Sequence, residues 1–436
     1  MSWFLGGRGD TQARSGIVSV LDVGSSKVCC IIARLLPNEG GRALSTRTHR
    51  VQVLGIGHQK SLGVKSGVIV DLDRAEQAIR LAVDAAERMA GLTIDSLIVN
   101  VSAGRLKSEQ ASATVKLGGH EVAKSDVNRV LSAGARQALR VEREVVHSLP
   151  VAFSLDLEGG IRDPRGMVGD MLGVDMHVVT ADAVPLRNLE LCINRAHLAV
   201  ERMVVTPYAS GLAALVDDEA EMGAACIDMG GGTTTISVFV DGKFVHADAL
   251  PIGGNHVTMD IARGLSTRLE DAERLKVMHG SALPAGDADR DTVTIQPMGS
   301  DEDEQPLQVP RAAMTRIVRA RVEETLELVR DRLNRSGYGS LIGRRVVLTG
   351  GASLLTGLPE AGRRLLGRNV RLGRPLGVAG LPEAAKGAAF AAPIGLLIYP
   401  QVAEFESRGT KGGIFMRATG TAGPIHRVGQ WLRDSF

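Results

Sequence analysis

Apolar residues in the first hundred positions follow two different periods. Residues 17–22 and 28–36 are apolar and β-branched, and the short sequence VGSSK separates them, which predicts a strand, a tight turn and a second strand. Residues 51–57 predict a third strand. From Asp71 to Met89 apolar residues recur at helical spacing and Gly91 follows them, so we expect a long amphipathic helix. The opening of the chain is therefore expected to be α/β.

The second half of the chain repeats this opening. Residues 224–228 and 236–240 predict two strands, and the sequence MGGGTTT lies between them. Asp22 and Asp228 end the first strand of each repeat, so we expect two related halves. Further along, the pattern predicts a long helix at 311–335, a strand at 345–349 and a helix near 358–366.

Residues 104–173 interrupt the first half. They predict a small α+β module with an alternating segment at 109–117, a helix that Ser125 caps and a strand at 151–157. A strand at 176–180 and a helix at 184–198 are expected to return the chain to the first half.

The glycine turns suggest phosphate binding. Backbone N–H groups at such turns have no side chains in the way, and the resulting concave surface binds phosphate oxygens. Asp22 and Asp228 come just before the turns, where they are expected to hold Mg²⁺ through its bound waters. The candidate phosphate and magnesium residues are Asp22, Gly24, Ser25, Ser26, Lys27, Asp228, Gly230, Gly231, Gly232, Thr233 and Thr234.

A third turn follows the strand at 345–349. It consists of Gly350, Gly351, Ala352 and Ser353, and its glycines let the backbone approach a nucleoside closely. One strand with an aspartate and a glycine turn occurs in many hairpins that bind nothing. Three mutually consistent turns in duplicated halves predict a nucleotide site.

The composition excludes several classes of protein. The 51 basic and 49 acidic residues are scattered and leave a net charge of +2, and aromatic residues make up 3% of the chain, so we expect no nucleic-acid partner. An apolar content of 44% is enough for sizeable cores. We expect no spanning helix, because no apolar stretch reaches about 18 residues. The four cysteines lack the spacing of metal ligands and the N-terminus lacks a signal-peptide pattern, so a reducing cytoplasm is expected.

The three turns together resemble the nucleotide-binding fold shared by actin, sugar kinases and heat-shock chaperones. The phosphate motifs read DVGSS at 22–26 and DMGGGTT at 228–234, and the adenosine motif reads TGGA at 349–352. In actin and MreB a small subdomain is inserted before the first long helix, where this chain has only residues 59–70. The later module at 104–173, the sequence DAERLKVMHG at 271–280 and an amphipathic C-terminus are similar to the FtsA family of bacterial cell-division proteins.

This resemblance implies a duplicated, two-domain actin-like (ribonuclease H-like) α/β fold with an inserted α+β module and a C-terminal amphipathic helix. The implied units are a flexible N-terminus at 1–16, a first half at 17–103 and 174–205, the module at 104–173, a second half at 206–254 and 336–400, a small subdomain at 255–335, a flexible linker at 401–423 and an amphipathic helix at 424–436.

The resemblance also implies ligands and partners. ATP with Mg²⁺ is the expected ligand, and Glu273 and Lys276 would flank the nucleoside, although their spacing equally suits a solvent-facing salt bridge. The expected partners are the C-terminal peptide of the tubulin-like protein FtsZ at the small subdomain, other copies of the chain through the module, later divisome proteins and the inner membrane. The location implied is the cytoplasmic face of that membrane, at the division septum.

Hydrolysis of the nucleotide is expected to be slow at most. In actin-like relatives a Glu or Gln orients the attacking water near a junction that here reads VVTPYAS at 204–210, and Thr206 takes its place. A hydroxyl is a poor general base. Two alternatives stay open: a small-molecule kinase of the same superfamily, which would need another buried carboxylate, and a PilM-like pilus-assembly scaffold, against which the C-terminus argues.

The last thirteen residues predict a membrane-surface helix. At 100° per residue the apolar side chains share one face, Trp431 lies on its boundary and the arginines flank it. A helix docked on its own domain is the alternative, but the linker at 401–423 has the composition of a flexible coil. The candidate membrane residues are Ile425, Arg427, Val428, Trp431, Leu432, Arg433 and Phe436.

Overall fold

A computed structural model describes residues 16–37, 47–102, 105–138, 140, 142–284, 291–298 and 306–403. The predicted helix at 424–436, nearly all of the linker before it and the N-terminal fifteen residues lie outside the described residues. The strands are β1 (Gly16–Val23), β2 (Lys27–Pro37), β3 (His49–Lys60), β4 (Val64–Lys65), β5 (Val68–Ile69), β6 (Ser96–Val101), β7 (Lys107–Lys116), β8 (Arg143–Leu155), β9 (Glu158–Ile161), β10 (Met171–Asp182), β11 (Ala199–Val205), β12 (Ala224–Met229), β13 (Thr234–Val240), β14 (Lys243–Leu250), β15 (Thr292–Ile295), β16 (Leu307–Pro310), β17 (Arg345–Thr349), β18 (Asn369–Leu372) and β19 (Val378–Ala379). The helices are α1 (Leu72–Ala90), α2 (Lys124–Gln137), α3 (Ala183–Arg195), α4 (Thr206–Ala214), α5 (Asp217–Met222), α6 (Gly254–Gly264), α7 (Leu269–His279), α8 (Arg311–Arg335), α9 (Leu358–Leu366) and α10 (Ala391–Val402).

Two sheets share one strand order. The first runs β11-β6-β1-β2-β3-β19 and the second runs β14-β13-β12-β17-β18. In both, the first three strands in chain order are antiparallel neighbours. The fourth strand of each lies parallel to the first. The duplication predicted from the strand and turn repeats is therefore confirmed, with β19 as an additional strand that the sequence did not predict.

Helix α1 covers one face of the first sheet, and local sequence sets both of its ends. The side chain of Asp71 accepts a hydrogen bond from the Arg74 N–H at 3.1 Å, and Gly91 ends the helix at φ 69°. The buried face contacts β3 closely, since a Cβ at Gly57 would lie 2.0 Å from the carbonyl oxygen of Ala82. A glycine in β3 therefore lets the helix backbone approach the strand.

The inserted module has its own sheet, β7-β10-β8-β9, and helix α2 packs against it. Strand β10 pairs with β8 as far as Asp182, so residues 174–182 belong to the module sheet and not to the first half as predicted. The predicted cap at Ser125 is wrong. The helix begins at Lys124, and the carboxylate of Asp126 accepts a hydrogen bond from the Ala123 N–H at 3.0 Å.

The module also contacts the second half, through a buried histidine. His177 Nδ1 donates to the carbonyl oxygen of Phe244 at 2.9 Å, which leaves Nε2 to accept from the Ser108 hydroxyl at 2.5 Å. The Ser108 oxygen in turn accepts from the Ala247 N–H at 3.2 Å. Burial lowers the pKa of His177 to about 3, so this ring is neutral and the network is complete.

Helices α4 and α10 cross at the junction of the two halves. The chain passes from the first sheet to the second through α4, and both helices are almost entirely buried. No helix of the described residues has both the length and the apolar character needed to cross a membrane. Buried residues of both helices, among them Ala209 and Ile394, belong to one hydrophobic core cluster.

We predict that Gly395→Ala destabilises the fold. A Cβ there would lie 1.7 Å from the carbonyl oxygen of Ala209, so the two crossing helices must separate. The cost of such overpacking is about 1–3 kcal/mol, or more. Urea denaturation would measure it, with Gly387→Ala as the matched control, since a Cβ at Gly387 meets nothing within 4 Å. Equal midpoints for the two variants would contradict the prediction.

Candidate functional site

A cavity of about 110 Å³ lies between the two halves, where the glycine turns face each other. The turns touch: a Cβ at Gly232 would lie 2.4 Å from the Ser25 Oγ, and one at Gly231 would lie 2.9 Å from the Ser26 Oγ. The residues that line the cavity are Asp22, Gly24, Ser25, Ser26, Lys27, Gly67, Ser102, Thr206, Asp228, Gly230, Gly231, Gly232, Thr233, Thr235, Gly350, Gly351, Ala389 and Ala392. Nearly all of the predicted phosphate residues are thus brought together.

Two buried carboxylates face this cavity. Burial raises the pKa of Asp22 to about 6, the nearby ammonium of Lys27 opposes this rise, and the charge of Asp228 adds to it. Burial also raises the pKa of Asp228. The Ser210 hydroxyl donates a hydrogen bond to the Asp228 carboxylate, and this bond opposes the rise. The structure therefore holds two acidic oxygen donors of like charge next to each other, a pair that a cation would stabilise.

The donor set fits Mg²⁺. Magnesium prefers oxygen ligands and usually keeps several waters, so one or two carboxylates are enough for it. No group of three or more His, Cys, Asp or Glu side chains within the described residues could hold a metal. Asp22 and Asp228, which both line the cavity, would be the protein's carboxylate ligands.

Lys27 connects the first turn to the second half of the chain. Its ammonium donates to the carbonyl oxygen of Ala389 and lies 3.5 Å from the centre of the Phe390 ring. Both contacts are with the segment just before α10. The positive charge is therefore held at the cavity wall, within electrostatic range of both aspartates.

Hydroxyl and amide groups form the wall near Thr206. The side-chain carbonyl of Asn100 accepts from the Val23 N–H at 2.7 Å, and its amide donates to the Thr206 Oγ1 at 3.2 Å. The hydroxyls of Thr206 and Ser102 lie 2.7 Å apart. Among the described residues that line the cavity, the carboxylates are those of Asp22 and Asp228. The side chain at position 206 is a hydroxyl, which is a poor general base.

The predicted nucleoside residues gather beside the cavity. The carboxylate of Glu273 lies 2.7 Å from the ammonium of Lys276, and both bond to the hydroxyl of Thr258, at 2.5 and 2.9 Å. A Cβ at Gly254 would lie 3.6 Å from this ammonium and 3.2 Å from the Cβ of Ala352. Lys276 and Ala352 therefore lie next to Gly254, whose N–H donates to the carbonyl oxygen of Gly230 in the second turn, and Glu273 reaches this group through Thr258 and Lys276.

Two predicted residues point elsewhere. The Thr234 hydroxyl donates to the carbonyl oxygen of Ile252 at 2.8 Å, and Thr234 does not line the cavity. The buried Ser353 hydroxyl donates to the carbonyl oxygen of Gly350 at 2.7 Å, so it shapes the third turn from within. Both hydroxyls thus donate to backbone carbonyl oxygens of the protein.

Sequence reasoning missed Asn100, Ser102, Ser210 and Thr235. Asn100 is the polar residue among the five buried positions of β6, and that contrast was a usable signal. Ser210 lies four residues after Thr206 on α4, so the two share one face of the helix. The alternation of side chains along β13 would have been needed to choose between Thr234 and Thr235.

A histidine of the module holds the start of α4. The Val205 N–H donates to the Nε2 of the buried His147 at 3.0 Å, and Val205 is the residue that precedes the helix. The His147 ring also makes edge contacts with the rings of Tyr208 and Tyr399. Because Thr206 follows Val205 directly, the module helps to position the cavity wall.

We predict that His147→Phe destabilises the chain and His147→Gln does so less. Phenylalanine keeps an aromatic ring but leaves the Val205 N–H without an acceptor, which costs about 1–3 kcal/mol in a buried site. The glutamine carbonyl can accept in place of Nε2. Denaturant unfolding measures both, and equal stability of the two variants would contradict the assigned hydrogen bond.

Comparison with protein families gives two matches along the chain. The family model of the cell division protein FtsA matches residues 225–395, and that of the SHS2 domain inserted in FtsA matches residues 103–180. The second match covers the module sheet, including most of β10. The inserted module therefore has a recognised counterpart.

Solved structures give the same fold at low sequence identity. A chain of the PilM-PilN type IV pilus biogenesis complex is 16% identical, with a TM-score of 0.59 over 88% of this chain and 98% of that one. MreB5 of Spiroplasma citri bound to ADP is 13% identical, with a TM-score of 0.51 over 89% of this chain and 97% of that one. The fold is actin-like.

Among characterised sequences, the cell division protein FtsA of Rhizobium meliloti (strain 1021) is 64% identical over 423 residues, which are 97% of this chain and 96% of the relative. This identity extends across both halves and the module. The chain therefore belongs to the FtsA family of cell-division proteins and is an actin-like component of the divisome.

Proposed function

We propose that this chain binds ATP with Mg²⁺ in the cleft between its halves and uses the bound nucleotide for assembly rather than for rapid catalysis. The observation that carries the proposal is the meeting of two glycine turns and two buried aspartates at one cavity. The ADP bound to MreB5, which has the same fold, supports it. A kinase has less support, because among the described residues that line the cavity the carboxylates are those of the aspartate pair already assigned to the metal.

Each part of the nucleotide has a place in this proposal. The N–H groups of the two turns hold the phosphates, Asp22 and Asp228 hold the magnesium, and the group around Gly254 receives the nucleoside. Since the two turns lie next to each other at the cavity, both contribute N–H groups to the same phosphates in this proposal.

We predict that Gly231→Val abolishes ATP binding. A side chain at this position would collide with Ser26 and fill the space between the turns. Isothermal titration calorimetry with ATP and Mg²⁺ measures the effect. Gly159→Val is the control, because its Cβ would meet nothing within 4 Å. Unchanged affinity in Gly231→Val would overturn the proposed site.

Turnover is proposed to be slow because Thr206 stands where a carboxylate would orient water. Phosphoryl transfer depends on positioning and electrostatics, and the Thr206 hydroxyl already bonds to Ser102 and Asn100.

We predict that phosphate release by the purified chain with Mg²⁺ stays far below the rates of about 1–100 per second that are typical of kinases. Thr206→Glu supplies the missing carboxylate and is expected to raise the rate, whereas Thr206→Val is not. Kinase-like release by the unmodified chain, without a partner, would contradict the assignment.

We further propose that copies of the chain assemble through the module and that the small subdomain receives the C-terminal peptide of FtsZ. Family membership supports both, and a groove between α6 and α8 offers a place for the peptide. Asp260, Arg321 and Glu324 line this groove together with the apolar side chain of Ile317. The groove thus combines charged and apolar contacts, which suits an extended peptide.

The proposed unit boundaries follow the sheets. The first half holds β1 to β6 with α1, and the module extends from about residue 104 to Asp182, where β10 ends. The second half holds the sheet of β12, and α6, α7 and α8 form the small subdomain.

We also propose that residues 424–436 attach the chain to the inner membrane. Partial burial of one apolar face of a short helix gives weak binding, so firm attachment needs many copies in an assembly.

We predict that Trp431→Glu reduces pelleting of the ATP-bound chain with anionic liposomes, because it places a charge at the edge of the apolar face. In a Trp3→Phe background, Trp431 emission is expected to shift to the blue with the same liposomes. The absence of both effects would refute membrane attachment through this segment.

A further inference from the structure

A buried hydroxyl that lines the cavity, that of Thr235, has no hydrogen-bond partner among the described residues. Thr235 is 1% exposed, its Oγ1 makes no hydrogen bond, and the residue lines the cavity between the halves. Hydroxyls in a protein interior are nearly always hydrogen-bonded, because water is lost when they are buried. A bound ligand with an acceptor oxygen in the cavity would therefore supply the hydrogen-bond partner that this side chain lacks.

The register of the second sheet fixes where this hydroxyl points. Thr235 lies directly opposite Asp228 on the neighbouring strand, and Asp228 lies opposite Thr349 on the next. Residues in register share a face of the sheet, so Thr235 faces the cavity with Asp228. Of these three residues, Asp228 accepts from Ser210 and Thr349 donates to backbone carbonyls, while the Thr235 hydroxyl is left over.

The cavity lining separates Thr235 from the nucleoside end. Thr235 and Asp228 line the cavity between the turns, whereas Gly254, Lys276 and Ala352 are outside its lining. A nucleotide with its nucleoside near Gly254 and Ala352 and its metal at Asp228 therefore has its phosphates in the cavity, where the Thr235 hydroxyl faces them. A hydroxyl can donate to a phosphate oxygen there, and bonds to charged oxygens are the strong ones.

We infer that the Thr235 hydroxyl hydrogen-bonds the terminal phosphoryl group of a bound nucleoside triphosphate and makes the site prefer the triphosphate over the diphosphate. This inference rests on the proposed nucleotide site. Thr235 is not among the phosphate-binding residues that the sequence predicted. The neighbouring Thr234 was predicted, but its hydroxyl donates to the carbonyl oxygen of Ile252 on the other face of the strand.

The test compares Thr235→Val, which removes the hydroxyl and keeps the shape, with Thr235→Ser, which keeps a hydroxyl. Competition against a fluorescent nucleotide gives Kd for ATP and ADP with Mg²⁺. We expect Thr235→Val to weaken ATP binding about tenfold or more and to change ADP binding by less than about twofold, as for a lost hydrogen bond to a charged group. Thr235→Ser is expected to keep the original ratio of the two constants.

Thermal unfolding without nucleotide separates this role from a structural one. Thr235→Val removes a hydroxyl that has no partner, so its midpoint is expected to be no lower than that of the unchanged chain. Ser237→Ala is the control on the same strand, because the buried Ser237 hydroxyl donates to the carbonyl oxygen of Cys226. It is expected to lower the midpoint and to leave the ratio of the nucleotide constants unchanged.

The outcomes distinguish the inference from the proposed function. If the unchanged chain binds neither nucleotide, both are overturned. If it prefers ATP and Thr235→Val keeps that preference, or loses ATP and ADP affinity equally, only the role of Thr235 is overturned.

Discussion

The charge of two buried aspartates is the constraint around which the centre of the molecule is arranged. Asp22 and Asp228 come from different halves, each lies near the end of a strand just before a glycine turn, burial raises the pKa of both, and the charge of Asp228 raises that of Asp22 further. Lys27 offsets part of this cost from one side and the Ser210 hydroxyl from another. What remains favours a cation and the phosphates it would bring. The two halves thus share one fold and meet where two carboxylates of like charge lie close together.

Helix α4 connects the aspartate pair to the module and to α10. Its first residue, Thr206, faces the cavity, Ser210 bonds to Asp228 one turn later, and the Val205 N–H before it is held by His147 of the module. On its other side α4 crosses α10 so closely that Gly395 leaves no room for a Cβ. A shift of this helix would therefore change the cavity wall, the module contact and the crossing together. Packed interiors move between discrete arrangements, so such a shift would involve all three units at once.

The sequence predicted what depends on local patterns. The bounds of α8 and α9 agree with the predicted helices, the caps of α1 are those expected from Asp71 and Gly91, and the two turns face each other as the duplication implied. The errors involve tertiary partners. Periodicity identifies a strand but not its sheet, so β10 was assigned to the wrong unit, and composition cannot tell which of two adjacent threonines faces a cavity. The cap of α2 was misjudged because the carboxylate three residues inside the helix stabilises its start.

Aromatic residues are scarce, at 3% of the chain, and their placement is informative. Tyr208 of α4 stacks on Phe244 of the second sheet at 4.5 Å between ring centres, and Tyr399 of α10 packs on it edgewise. His147 of the module completes the group. Large rings bury much area and adopt few rotamers, so they make a stiff junction. The crossing of α4 and α10 thus joins the two halves and the module through one packed group of rings.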